Sequence, residues 1–235
     1  MLKKYQGMEC FIVLSAQQWT DGSFQIQMNT IRFKDVELIE TPFTKMVAEE
    51  VVTRDVYRIG TIPEDCTVLD IGAFYGEFSI MCAKRGMDVV AFEPVQSSFH
   101  LLVENMAINK VRFEAHNVAV MDCDGTVSMN VPGNHPAGAT VANGGGVKCV
   151  AMDSIAERFG DIAVKMDCES SEIFIFKSLR WLDKCKWVSM EFHNHDGRHF
   201  RDLLLSKGFA VAIEGGNGTP WDDTIGGGII WAIRI

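Results

Sequence analysis

Val68-Leu69-Asp70-Ile71-Gly72-Ala73-Phe74-Tyr75-Gly76 decides the fold. Thr67 to Ile71 reads as a buried strand carrying Asp70 near its end, and D-x-G-x-x-x-G then leads into a helix over Glu77 to Arg85. Phe78, Met81 and Cys82 share one face of that helix and Gly86 stops it. The glycines let the backbone turn tightly and lie close to a ligand, because no Cβ intervenes. The helix N-terminus offers unpaired N–H groups. The spacing is not G-x-G-x-x-G, so a nicotinamide dinucleotide is the weaker reading, and a ligand-free glycine turn is the bland one.

Working outward, strand-like and helix-like runs alternate. Asp88 to Phe92 reads as a strand, and Gln96 to Asn109 as a helix with Phe99, Leu102, Val103 and Met106 spaced i, i+3, i+4, i+7. Strands follow near 111–120 and a hairpin near 126–131. Residues 132 to 146 hold seven Gly or Pro in fifteen positions and read as a long loop placed to act as a lid. A short helix is expected over Asp153 to Phe159, a strand over Ile162 to Asp167 and a helix over Glu172 to Lys177. Trp187 to Phe192 reads as a strand, Arg198 to Lys207 as a helix, Phe209 to Ile213 as a strand, and Ile229 to Ile233 as the last one. This alternation implies parallel βαβ units in a Rossmann-like, doubly wound α/β sheet, mostly parallel with an antiparallel last strand. Ligands of such sheets sit at the carboxyl ends of the strands.

The N-terminal segment reads differently. Phe11, Ile12, Val13 and Leu14 form an apolar run, Asp21-Gly22 is a turn signal, and Phe24, Ile26 and Met28 alternate. Pro42 opens a helix carrying Phe43, Met46, Val47 and Glu50. Residues 1–60 are therefore expected to form a β-rich and helical cap, and residues 61–235 the main domain.

Composition bounds the partners. With 22 Lys+Arg against 31 Asp+Glu, the net charge is −9, which argues against a general nucleic-acid grip. Lys177, Arg180, Lys184 and Lys186 are the one basic cluster, and a solvated helix face explains them. Neither a membrane-length apolar run nor a signal peptide is read. Seven scattered cysteines without a C-x-x-C pair suit a reducing, cytoplasmic setting. Oligomeric state is not legible.

Ala91-Phe92-Glu93-Pro94 is the second signal. Glu93 ends the strand after the glycine turn, 23 positions beyond Asp70, where an acid accepts hydrogen bonds from two ribose hydroxyls. Paired with the first motif, it points to an adenosyl ligand. Pro94 turns the chain toward the next helix.

Three segments together resemble the FkbM family of methyltransferases: VLDIGAFYGEFS, AFEPVQSSFHLLVENMAINKV with the NVAV that follows, and KMDCESSEIFIFKSL. RDVYR upstream resembles an aspartate–tyrosine segment of that family, and the resemblance covers roughly residues 50 to 195. The third segment discriminates, because the family typically carries K-x-D-x-E-G there. Phe74 stands where the family usually has Asn, and Ser170 where Gly is usual. The helix after Glu93 is also similar to tRNA guanine methyltransferases, but Met166-Asp167-Cys168-Glu169 replaces their N-P-P motif.

The resemblance implies S-adenosylmethionine as cofactor. Asp70, Gly72, Ala73 and Gly76 would line its methionine part, with Phe74 in the same turn. Glu93 and Pro94 would lie at the ribose, and the stretch Asn117, Val118 and Ala119 near the adenine. The sulfonium is already a strong methyl donor, so the protein must align an acceptor oxygen and remove its proton. Asp167 is expected to orient cofactor or acceptor, and His193 or Glu169 to act as base. The expected acceptor is a hydroxyl on a small molecule or glycan. Glu191 with His193-Asn194-His195-Asp196 also has the residue types of a zinc or manganese site, but a polar loop explains the run and no metal is assigned. The alternatives are a nicotinamide oxidoreductase on a similar sheet, or a non-catalytic protein retaining the adenosyl pocket.

Overall fold

A computed structural model describes residues 14–18, 24–132, 136–193, 197–215, 218–221 and 226–235. The apolar run Phe11 to Val13, the Asp21-Gly22 turn and the stretch Asn194, His195 and Asp196 lie outside the described residues.

The N-terminal segment contributes strands β1 (Leu14–Gln18) and β2 (Phe24–Met28), paired antiparallel, then β3 (Thr30–Phe33) and β4 (Val36–Ile39), also antiparallel. Helix α1 (Thr44–Ala48) runs directly into a π-helical turn over Glu49–Thr53. The alternation proper follows: β5 (Thr67–Ile71), α2 (Glu77–Lys84), β6 (Val89–Phe92), α3 (Gln96–Ile108), β7 (Glu114–His116). Next come β8 (Ala119–Met121), β9 (Gly125–Asn130), β10 (Thr140–Ala151), α4 (Met152–Ala156), β11 (Ile162–Met166) and α5 (Glu172–Ile175). Then β12 (Cys185–His193), α6 (Gly197–Ser206), β13 (Phe209–Gly215) and β14 (Gly227–Arg234) complete the order.

Seven of these strands form one sheet in the order β13-β14-β12-β11-β5-β6-β7. The pairs from β12 through β7 are parallel, whereas β14 runs antiparallel between β12 and β13. The order reverses between β5 and β11, so β5 leads to β6 on one side while β11 leads to β12 on the other. That is a topological switch point, and it opens a cleft over the carboxyl ends of the strands. Successive residues of each strand feed opposite cores. Leu69, Val164 and Val188 pack with Ile175, Trp181 and Phe200 on one face. Val68, Ala163 and Trp187 pack with Phe78, Ile80 and Val52 on the other. Both faces being buried explains why β5, β6 and β11 read as nearly continuous apolar runs. No helix among the described residues is long and apolar enough to cross a membrane.

One expectation fails here. The stretch 132–146 is not a loop throughout: after a short turn at Pro136–Gly138, β10 begins at Thr140. β10 pairs antiparallel with β9 and parallel with β8, and its register shifts between Ala142 and Val147. The glycines at 144–146 fall in that irregularity, so cross-strand pairing overrides their local preference for a turn. Likewise 111–120 splits into β7 of the main sheet and β8 of a separate three-stranded sheet, and 126–131 is one arm of the long β9–β10 ribbon.

The β3–β4 hairpin is fastened to the main domain by Asn105 of α3 and by Asn109 just past its end. Asn105, fully buried, accepts from Ile39 N at 2.8 Å and donates to Tyr75 O at 2.9 Å. Asn109 accepts from Glu37 N at 2.9 Å and also donates to Glu37 O. Replacing Asn105 with Ala strands a buried N–H and a buried carbonyl, each worth about 1–3 kcal/mol. Denaturant unfolding of Asn105→Ala is expected to report a loss of about 2–4 kcal/mol.

Candidate functional site

The glycine turn is fixed by close backbone approach. Gly72 has φ +74°, and a Cβ there would stand 1.8 Å from the Asp167 carbonyl oxygen. The β5 and β11 strand ends therefore touch at a point where only glycine fits. Gly72 N and Ala73 N both donate to Phe92 O at 3.0 Å, which brings the turn against the end of β6.

Beneath the turn lies a buried ion pair. Lys165 of β11 stands 3.2 Å from Asp70 Oδ1 and donates to Gly72 O at 2.7 Å, while Ser79 of α2 donates to Asp70 Oδ2 at 2.6 Å. Burial works against the ammonium of Lys165, but the charges of Asp70 and Asp167 outweigh it and raise its pKa.

Glu93 is buried at the end of β6. Its carboxylate accepts from Phe74 N at 2.8 Å and from Val95 N at 2.7 Å, and each oxygen keeps a further lone pair. Burial pushes its pKa up to about 7, and that of Glu77 up to about 8. Asn117 clamps this strand end from behind, donating to Glu93 O and Pro94 O at 2.8 and 3.1 Å.

These elements surround a cavity of about 310 Å³. Of the residues expected at a cofactor, Gly72, Ala73, Phe74, Glu93, Pro94, Val118 and Ala119 line it. Asp70, Gly76 and Asn117 do not reach its wall and hold the frame instead. Asp167, Glu169 and His193 line its other side, together with Glu50 and Glu191. Pro136, Gly138 and Val141 of the 132–146 segment also border it.

The strand expected over Ile162 to Asp167 closes at Met166, so Asp167 and Glu169 both lie past its end. Asp167 is held by Tyr57, whose hydroxyl donates to Asp167 Oδ2 at 2.9 Å. Glu169 and Ser170 follow in left-handed backbone, at φ 52° and 75°. This turn directs Glu169 toward His193, with 3.8 Å between Glu169 Oε2 and His193 Nε2. Glu191 Oε1 is 3.4 Å from the same nitrogen, and Glu172 Oε1 is 3.7 Å from Nδ1. Burial alone would deprotonate His193, but Glu172 and Glu191 outweigh it and push its pKa up to about 11. Burial first, then the charges of Asp167 and Glu191, raise Glu169 to about 7 despite His193. Glu50 is raised by burial and by Glu191.

Tyr57, Glu50 and Lys165 are site residues the motif reading did not assign. Tyr57 lies in the RDVYR segment and Lys165 in the K-x-D run, so both carried a signal; Glu50 showed only helical spacing. The four surface cations are paired locally: Lys177 with Asp122, Arg180 with Asp153, Lys186 with Asp161, and Lys184 with the carbonyls of Glu157 and Phe159.

No family model matches the chain. It is similar to Methyltransferase 1 of Beauveria bassiana, at 24% identity over 231 aligned positions that span 80% of this chain and 91% of that protein. It is similar to Methyltransferase sdnD of Sordaria araneosa at 26% identity over 155 positions, spanning 61% of this chain and 58% of that one. Among solved structures, TYW2 of M. jannaschii in complex with AdoMet superposes with a TM-score of 0.52 at 14% identity, covering 95% of this chain and 94% of that one, which is a likeness of fold. The fold is that of the class I S-adenosylmethionine-dependent methyltransferases, and the two sequence relatives are methyltransferases.

Both departures from the resembled family fall on left-handed backbone: Phe74 at φ 49° and Ser170 at φ 75°. Asn tolerates that region and Gly adopts it freely, whereas Phe and Ser hold it at a cost. Ser170→Gly is expected to stabilise the chain by about 1 kcal/mol, read as a higher denaturation midpoint at unchanged slope.

A pH effect follows from Glu77 and Glu93. Their folded pKa values lie above the unfolded 4.5, so their contribution to stability is full below that value. It is lost as pH rises through about 7 and about 8. The melting temperature of the ligand-free chain is expected to fall over that window, and to fall less in Glu77→Gln.

Proposed function

We propose that this methyltransferase acts on a hydroxyl of a small molecule or glycan, in the manner of the FkbM family it resembles. The observation that carries the reading is the division of the cavity into two walls. One wall is the Gly72–Phe74 turn with buried Glu93; the other is the cluster of Asp167, Glu169, Glu191 and His193.

The first wall fits the cofactor. Backbone amides fix both Glu93 oxygens, leaving lone pairs for two ribose hydroxyls. Val118 and Ala119 give an apolar surface for the adenine. The cavity carries six carboxyl groups, Glu50, Glu77, Glu93, Asp167, Glu169 and Glu191, against Lys165 and His193, a balance that favours a cationic ligand. S-adenosylmethionine supplies a methyl group on a sulfonium, whose carbon–sulfur bond breaks as the acceptor oxygen bonds to the carbon.

The second wall serves the acceptor. Asp167, held by Tyr57, orients the hydroxyl, and a carboxylate beside the charged His193, Glu169 or Glu191, takes its proton. Residues 1–60 act as a cap over the domain formed by 61–235, placing Met46, Val47 and Glu50 at the cavity rim.

The test is a thermal-shift and calorimetric titration with S-adenosylmethionine, S-adenosylhomocysteine and NAD, followed by turnover on a panel of hydroxyl acceptors. The two adenosyl compounds are expected to bind and NAD not to. Glu93→Ala should weaken binding by about 10- to 100-fold, the worth of lost charge-assisted hydrogen bonds. Affinity should also fall as pH drops below about 7, where Glu93 takes up a proton. Asp167→Asn should retain cofactor binding and lower turnover by roughly 100-fold. Absence of adenosyl binding would remove the cofactor assignment, and undiminished turnover in Asp167→Asn would remove the role given to Asp167.

A further inference from the structure

We propose that Asp167, Glu169 and His193 hold a divalent cation of the manganese or magnesium type beside the acceptor. This rests on the methyltransferase reading and adds a Lewis acid to it. One ligand atom from each of these three residues lies within 4.8 Å of the others. Ligands about 2.1 Å from an octahedral ion stand about 3 Å apart when adjacent and about 4 Å when opposite. The 3.8 Å between His193 Nε2 and Glu169 Oε2 therefore needs only small side-chain rotations to close on an ion.

A second observation points the same way from behind the imidazole. Glu172 is fully buried, its Oε1 faces His193 Nδ1 at 3.7 Å, and its Oε2 has no hydrogen-bond partner. A histidine that binds metal through one ring nitrogen typically presents the other to a carboxylate, which fixes the tautomer and aims the ligand nitrogen. Glu172 stands where that carboxylate belongs, and Nε2 is left pointing at the carboxyl groups of the cluster. His193 Nδ1 is itself buried without a hydrogen-bond partner, and a small closure onto Glu172 Oε1 as Nε2 takes a cation would satisfy it.

The remaining groups define the kind of ion and its work. Lys165 gives its ion pair to Asp70 and its hydrogen bond to Gly72 O, so it offsets the charge of the second wall only in part, through Asp167. Carboxylate oxygens with a single imidazole suit manganese or magnesium rather than a thiolate-seeking ion. A cation held there would draw an acceptor oxygen beside it and make that hydroxyl more acidic. Glu191, 3.4 Å from Nε2 and outside the three-ligand set, is placed to take the released proton.

The test uses the full chain, freed of metal with a chelator and titrated with MnCl2. The paramagnetic resonance signal of free Mn²⁺ is followed with and without S-adenosylhomocysteine. One Mn²⁺ per chain is expected, displaced by excess MgCl2. His193→Ala should abolish uptake, and Glu172→Gln, which removes no ligand, should weaken it by about 10- to 100-fold. Both variants should still bind S-adenosylhomocysteine, which certifies their fold. MnCl2 left free by the wild-type chain, or taken up equally by His193→Ala, overturns the site, as it would if the acidic wall instead receives a cationic amine. S-adenosylhomocysteine binding in the same samples reads the cofactor assignment separately. A metal failure with that binding intact leaves the methyltransferase reading standing.

Discussion

The close approach of β5 and β11, fastened by the Lys165–Asp70 ion pair, is the constraint on which the rest of the site depends. A buried ion pair stabilises weakly on balance, because desolvating two charges offsets most of their attraction. What it supplies here is position. Lys165 reaches Asp70 with its charge and Gly72 O with a hydrogen bond, while Asp70 takes the hydroxyl of Ser79 at the start of α2. Three elements, β11, the glycine turn and α2, are thereby held in one geometry. The Asp167 carbonyl, just past the end of β11, lies against Gly72, so the residue proposed to orient the acceptor is placed by the same contact that shapes the glycine turn.

This dependence explains which parts were legible in the sequence. The switch-point sheet follows from apolar runs buried on both faces and from helices with local periodicity, all of which are short-range signals. Asp70, Gly72 and Glu93 sit where strand-end chemistry must be, so their positions could be counted along the chain. The 132–146 stretch could not be read this way. Its glycines and prolines announce a turn, yet Val141 pairs with Met129 and Cys149 with both Gly125 and Ala119, and such partners are set by tertiary structure. Glu50 was hidden for a related reason, and Tyr57 was marked only by the RDVYR segment. They reach the cavity from an N-terminal segment held by contacts distant in sequence, among them Ile39 N to Asn105 and Trp231 Nε1 to Val56 O.

The left-handed turns carry a second lesson about the same boundary. A departure from a family pattern invites the reading that a contact has been lost. At Phe74 and Ser170 the backbone gives a different account. Both hold the conformation that Asn or Gly would adopt with less strain, and Phe74 N still donates to Glu93. What Glu93 requires of position 74 is a backbone N–H in the right place, which any residue but proline can offer if the surrounding packing offsets the conformational cost. The ring of Phe74 stacks on Tyr75 at 3.7 Å between centroids, and that contact offsets part of it.

Charge links the two walls. A cavity holding six carboxyl groups against two cations is unstable to its own repulsion unless some carboxyl groups keep their protons or a cation enters. Raised values at Glu77, Glu93 and Glu169 are the first response, and the strongly raised His193 is a second, since the imidazolium serves as an internal counter-ion. Both responses are reversible by a ligand. A sulfonium on the first wall lowers the cost of ionising Glu93, and positive charge on the second wall can take the place of the proton on His193. Because the walls share one low-dielectric space, filling one changes the proton affinity of the other. Under the proposed function, cofactor binding and acceptor activation are therefore coupled through the field of these carboxyl groups.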